Sequence, residues 1–369
     1  MERRQKTLHF ATRFLTLTVL TLFSICFVGG TALARTDAQE SQSPHRLRFT
    51  YRPLHKLETQ TYTNAAAGAL PTWTSSFTSG GQNYPYTMVG TDPHKGSATT
   101  TIPVDIVPLI FTFSDGSTSD GTTIAHNIVS SPLFQSDGPY TTGDTTQYVD
   151  AMQRAEFWSS VSSNSSDYHV LFGQPAIQPA VTLAVPDSSG SSSNATGGNA
   201  QVDINWFSPQ ADSLSTSSSN LSASHLTIFA ALNIDMYQGD PSQCCIGGYH
   251  TAVQDNSGNT FTYSYASYDT APGSVFSDVA ALSHELAEWT NDPLTNNTVP
   301  NWSVPSEPQY GCNSYLEVGD PLVGSTFSLN GYSLQDEAFF SWFARETPSQ
   351  GYKGQYDYQG NFSSYSAAC

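Results

Sequence analysis

Apolar and polar positions change their spacing several times along this chain, and each change marks an element. Phe14 to Val28 is an apolar run behind Arg3, Arg4, Lys6 and Arg13, and it ends at the small residues Ala32-Leu33-Ala34. That order predicts a secretory signal peptide over 1–34. The run falls short of the about 18 apolar residues that a membrane span needs, and no later stretch reaches that length. The expectation is a secreted, extracellular protein with no membrane partner once the signal is removed. Residues 35–68 have no clear apolar period and read as a basic arm or pro-segment. One domain, 69–369, follows.

Within that domain, alternating or continuous apolar runs predict strands at Thr100 to Phe113 (interrupted by Pro108), His169 to Phe172, Val181 to Val185 and Val202 to Trp206. Further strands are predicted at Leu226 to Met236, Tyr249 to Val253 and Thr260 to Tyr265. The Ser/Asn/Gly-rich stretches Ser188 to Gly198 and Ser213 to Ser224 read as loops. Helical spacing predicts three helices. The first is Asp144 to Val161, with Asp144 and Gln147 as a cap pair. The second is opened by Pro272-Gly273 and a Ser277 cap and closed by Asn291-Asp292-Pro293. The third is Leu334 to Arg345. Strands first, then a central helix and a last helix, make an α+β domain around a mixed twisted sheet.

Charge narrows the partners. The chain carries 13 Lys+Arg against 31 Asp+Glu, a net −18. The basic residues left after the signal crowd into Arg35, Arg46, Arg48, Arg52 and Lys56, so the body is far more acidic than the whole. Such a body repels phosphate backbones, which argues against nucleic acid as a partner. Its composition suits an acidic extracellular medium, where carboxylates lose charge. Cys26 leaves with the signal, and Cys244, Cys245, Cys312 and Cys369 remain. An even number in an oxidising compartment predicts two disulfides. A ring between neighbours is strained, so Cys244 and Cys245 are expected to bridge separately to Cys312 and Cys369. Metal ligation by the vicinal pair is the alternative.

The chemistry concentrates in Ala280-Ala281-Leu282-Ser283-His284-Glu285-Leu286-Ala287-Glu288-Trp289. Val279, Leu282, Leu286 and Trp289 follow helical spacing toward a core, so His284 and Glu288 project elsewhere. Residues four apart lie one turn above each other, about 40° round, and can grip one ion. Glu285, about 100° round, stands beside that ion, where it could take a proton from water. An exposed i,i+4 ion pair is the plain alternative. His250, on a predicted strand, is a candidate to steady a developing oxyanion. Tyr310 and Tyr315 are candidate donors to a substrate. Neither a Gly-x-Ser-x-Gly elbow nor a Gly-rich phosphate loop is present, which leaves serine hydrolase and nucleotide chemistry without support.

The helix resembles that of zinc peptidases of the His-Glu-x-x-His kind, with Glu288 in place of the second histidine. Downstream, Tyr315-Leu316-Glu317-Val318-Gly319-Asp320 resembles the segment from which gluzincin-type peptidases take a third ligand. That resemblance implies Glu317 as a metal ligand beside His284 and Glu288, with Asp320 supporting a ligand histidine. The closer resemblance is to the EXORDIUM, or phosphate-induced, secreted protein family and its bacterial relatives. It rests on His284-Glu285-Leu286-Ala287-Glu288, Pro293-Leu294, Trp302 and Glu317-Val318-Gly319-Asp320, over about 277–345. Where that family has a Cys after the Glu-x-x-Asp segment this chain has Leu322, with Cys312 before the segment instead. Together these resemblances imply a zincin-like metallopeptidase acting on a protein or peptide substrate. Its ion would be Zn²⁺, with Mn²⁺ or Fe²⁺ tolerated by the harder ligands. The alternative they imply is a non-catalytic, cell-wall-associated protein with a structural metal.

Overall fold

The computed structural model describes residues 69–369, apart from 144, 165–166, 194–197, 272–273, 305–310 and 365–368. The expected signal peptide, the basic arm, the Asp144 cap, Pro272-Gly273 and Tyr310 lie outside the described residues.

A seven-stranded sheet forms the centre. Its main path runs Val181–Val185, Val104–Phe113, Leu226–Leu232, Thr260–Tyr268 and Gly248–Gln254. The first four of these are mutually parallel, and Gly248–Gln254 lies antiparallel at the edge. The sheet is therefore mixed, and the domain is α+β. Parallel strands covered on both faces need near-continuous apolar sequence. Val104–Phe113 and Leu226–Leu232 provide it and are buried along most of their length. Successive side chains alternate between faces. Val104, Ile106, Leu226 and Ile228 enter one core cluster, while Val107, Leu109, Phe111 and Phe229 enter the other.

The second face is closed by the helix Ile204–Ser217, whose Phe207 meets Phe111, Phe229, Tyr249 and Tyr265. This corrects the expected strand at 202–206 and the expected loop from 213. Only Ala200–Asp203 is extended; the Asp203 side chain then accepts the Asn205 N–H at 2.9 Å and caps the helix. The spacing Ile204, Phe207, Ala211 supplies its buried stripe.

The first face carries the helix Ala280–Asn291, all twelve residues of which are buried. It starts two residues later than expected, with Val279 in place of Ser277 at its N-cap and no side-chain cap. Asp292 closes it by accepting the N–H groups of Asn296 (2.9 Å) and Asn297 (3.1 Å). The expected helix from 144 is two pieces, Tyr148–Glu156 and Trp158–Val161, separated at Phe157. Pro103, not Pro108, separates two strands: Pro108 sits inside Val104–Phe113 and pairs with Ala230. The expected helix Leu334 to Arg345 is also corrected. Thr326–Leu329 and Tyr332–Gln335 form a hairpin, and only Phe340–Phe343 is helical.

The disulfides differ from expectation as well. Cys244 bonds Cys245, and Cys312 bonds Cys369. Cys312 directly precedes the strand Asn313–Tyr315, which pairs with Thr298–Trp302, and the Cys369 sulfur lies 3.6 Å from the Trp302 carbonyl. These two meet beside one strand pair. Cys244 and Cys245 belong to a different, four-stranded sheet, where Cys244 pairs with Tyr237.

Candidate metal centre

The buried helix puts the His284 and Glu288 side chains one turn apart, with Nε2 to Oε1 at 3.0 Å and exposures of 0% and 1%. Burial removes the plain alternative of a solvent-exposed ion pair. Alternation along the edge strand supplies the next member. Tyr249 packs into the second core, so its neighbour His250 faces the helix. His250 Nδ1 lies 3.2 Å from Glu285 Oε2 and 3.5 Å from Glu288 Oε2. It thus sits between two carboxylates, in a ligand position as well as a donor's.

The Glu317–Asp320 segment closes the site from beyond the helix. The Gly319 N–H donates to Glu288 Oε1 at 3.2 Å, and Asp320 Oδ1 lies 3.7 Å from His284 Nε2. Glu317 is fully buried, and neither of its oxygens has a hydrogen-bond donor among the described residues. Asp320, with 18% of its side chain exposed, is the least buried of these residues.

Two glycines permit the close packing. A Cβ on Gly248 would fall 2.7 Å from Glu285 Cγ and Oε1, and one on Gly319 would fall 2.4 Å from His284 Nδ1. Gln335 is a member that the sequence did not point to. Its amide nitrogen lies 2.7 Å from His284 Nδ1 and donates to the Gly319 carbonyl at 2.8 Å, while its own N–H donates to Ser283 Oγ at 2.8 Å. Gln335, not Asp320, faces Nδ1 of His284; its amide nitrogen can only donate there, so ligation through Nε2 requires the amide to turn its oxygen toward an Nδ1–H, and Asp320 stands on the Nε2 side instead. Tyr148 extends the network: its hydroxyl donates to the Gln335 backbone carbonyl at 2.7 Å and lies 2.6 Å from Glu337 Oε1, whose carboxyl is held protonated by burial. Tyr315 is held through its backbone: its carbonyl accepts the Trp302 indole N–H at 2.8 Å, and its own N–H donates to Asn313 at 3.0 Å.

The electrostatics follow from burial among carboxylates. Burial opposes charge on His250, but Glu285 and Glu288 outweigh it and push its pKa up to about 10. His284 is likewise raised to about 10, burial being overcome by Glu288. Burial lifts Glu285 to about 7 against the pull of His250 and His284. Glu288, flanked by both imidazoles, is held below the ordinary carboxylate range despite its burial. Glu317 is driven well upward by burial and by the Glu288 charge, and Asp320 rises for the same reasons. Two protonated imidazoles thus hold one carboxylate ionised, which is a place a cation could take.

The donor set of imidazole nitrogens and carboxylate oxygens fits a divalent ion, while Glu317, expected as a ligand, lies buried against Glu288 outside both groups of candidate ligand atoms. His284, Glu288 and Asp320 form one group of ligand atoms within 4.8 Å of one another, and His250, Glu285 and Glu288 form a second. Such a set suits Zn²⁺, Mn²⁺ or Fe²⁺. Asp292, though buried, has its carboxylate engaged by the N–H groups after the helix. Comparison with known proteins finds no matching family model, no matching curated protein and no matching solved structure.

Proposed function

We propose that this chain is a secreted, metal-dependent hydrolase of peptide bonds, with Glu285 as general base and His284, Glu288, Glu317 and Asp320 available to the ion. The observation that carries the reading is the state of Glu285. It is fully buried beside the ligand groups, its pKa is raised to about 7, and its Oε1 has no hydrogen-bond donor among the described residues. A general base works best with a pKa near the operating pH, and burial pushes Glu285 up from the ordinary carboxylate range toward it.

A divalent ion held here would supply Lewis-acid polarisation of a carbonyl oxygen and of water. Glu285 then removes the proton from the attacking water. His250, hydrogen-bonded to the other Glu285 oxygen, fixes the direction of that carboxylate. Gln335 fixes the ring of His284, and Gly319 fixes Glu288. The mixed sheet, with its antiparallel edge strand beside the helix, supports a zincin-like arrangement. Export rests on the pattern of residues 1–34, and no helix of the described residues is long and apolar enough to cross a membrane.

The near-complete burial of the ligand groups favours a second reading, a structural metal in a non-catalytic extracellular protein of the EXORDIUM kind. One experiment separates the two. Purified protein is analysed for metal, then assayed on an unfolded protein substrate with and without chelator, beside Glu285→Gln. Hydrolysis that chelator abolishes, and that Glu285→Gln lowers by about 10²-fold or more while keeping its metal, supports the hydrolase. Bound metal with no hydrolysis in either form supports the structural role. Absence of metal sinks both.

A further inference from the structure

We propose that the site holds two divalent ions, bridged by the carboxylate of Glu288. The inference rests on the metal-centre reading above and extends it. Its first ground is geometric. Glu288 turns its two oxygens toward different imidazoles, Oε1 to His284 Nε2 at 3.0 Å and Oε2 to His250 Nδ1 at 3.5 Å. Glu288 is also shared by two groups of candidate ligand atoms, one with His284 and Asp320 and one with His250 and Glu285. A carboxylate bridging through both oxygens suits ions about 3.5–4 Å apart, the spacing used by two-metal sites.

The second ground is the number of ligands. Two imidazoles and three carboxylates, Glu285, Glu288 and Asp320, fall in these groups, and Glu317 lies buried against Glu288. With Glu317 counted, that inventory matches the four carboxylates and two histidines with which dinuclear carboxylate centres are built. A single ion of four to six ligands would leave part of it idle in the interior. Glu317 is the sharpest case: fully buried beside Glu288, with neither oxygen receiving a hydrogen bond from the described residues.

With two ions bound, Glu285 Oε2 and His250 Nδ1 would serve the second ion in place of the hydrogen bond between them, leaving Oε1 as the oxygen without a donor. The general-base reading above applies to the site with one ion.

The test is stoichiometry and coupling with Mn²⁺ as the probe. Full-length secreted protein is stripped with chelator, reloaded with Mn²⁺, desalted and analysed for metal, and its electron paramagnetic resonance spectrum is recorded. Two Mn²⁺ per chain with an exchange-coupled signal is the expected result, and His250→Ala should fall to one ion with the six-line spectrum of isolated Mn²⁺. Should His250→Ala fail to fold, the wild-type stoichiometry and spectrum decide alone. One ion per chain at saturation, with the isolated signal, overturns the second site and leaves the metal-centre reading intact. No bound ion overturns both.

Discussion

The backbone of Gly319 fills the space beside His284 that a side chain would need, since a Cβ there would lie 2.4 Å from His284 Nδ1. The ring cannot easily swing aside, because Gln335 sits 2.7 Å from the same nitrogen. Gly319 also donates its N–H to Glu288 at 3.2 Å, so one residue touches two ligand candidates. Gly319→Ala should therefore push the helix and the Glu317–Asp320 segment apart. We expect metal affinity to fall at least tenfold, and stability to fall by about 1–3 kcal/mol from overpacking. Calorimetric metal titration and thermal melts of stripped protein measure both. Gly173→Ala, where a Cβ meets nothing nearer than 3.6 Å, is the control. Equal affinity in the two variants would show that the segment does not press on the helix.

Gln335 gives a second, separable test. Ligand histidines depend on the partner of their outer nitrogen for ring orientation, and loss of that partner costs about 10–100-fold in affinity. Gln335→Leu removes it and leaves the Gly319 carbonyl without its 2.8 Å donor. The expected result is weaker metal binding in that range with a loss of about 1–3 kcal/mol from the unpaired carbonyl. Competition against a chromogenic chelator reads the affinity directly. Wild-type affinity in Gln335→Leu would mean that the helix alone orients His284.

The contrast between these residues explains what could be seen in the sequence. His284, Glu285 and Glu288 were legible because helical periodicity is a local property, and four residues always make one turn. The central strands were legible for the same reason, their apolar runs being long and β-branched, although the run Leu226 to Met236 is two strands, Leu226–Leu232 and Ile234–Gln238, in different sheets. Gln335 was not, because its role comes from a hairpin read as part of a helix. The sign was present in Asn330-Gly331, which adopt φ of 51° and 84° between Leu329 and Tyr332 and so close a two-residue turn. Aromatic residues 339–343, at helical spacing, masked it. His250 was visible only as a strand histidine; its direction depends on which face the edge strand presents, fixed by Tyr249 on the other side. The Cys pairing was misjudged because sequence gives the number of cysteines and not which sheets hold them.

Cys312–Cys369 ties the strand beside Trp302 to the chain terminus, across a sequence separation of 57. Closing a loop of that size should stabilise by about 4 kcal/mol on the chain-entropy account. The double variant Cys312→Ser, Cys369→Ser is expected to lose stability on that scale in denaturant melts. Peptide mapping without reduction should recover 312 linked to 369, and 244 and 245 on one peptide. A crossed pairing of either vicinal cysteine with 312 or 369 would contradict the fold at both places.

Stability should fall as pH rises in the metal-free protein, and the buried carboxyls set the sign. Burial pushes Glu156 up to about 8, with Glu346 adding to it. Asp336 reaches about 8 from burial and from Asp357 against it, and burial takes Asp235 to about 6. Each folded-state pKa lies above an unfolded value near 4, so the stability each confers is complete below about pH 4. It is then lost as pH climbs through the folded values toward 8. His250 and His284, raised to about 10 beside their carboxylates, act in the same direction at higher pH. Glu288 opposes the trend only under strongly acid conditions, where its lowered pKa is finally crossed. Melting temperatures of chelator-treated protein should therefore be highest near pH 4–5 and decline steadily to pH 9. Asp336→Asn, which removes one titrating group, should flatten the decline between 5 and 8. Metal reverses the dependence at its own site, because ligands must lose protons to bind it. The gap in melting temperature between loaded and stripped protein should thus widen as pH rises. A stripped protein whose stability increases from pH 5 to 8 would mean that these carboxyls are not held protonated in the fold.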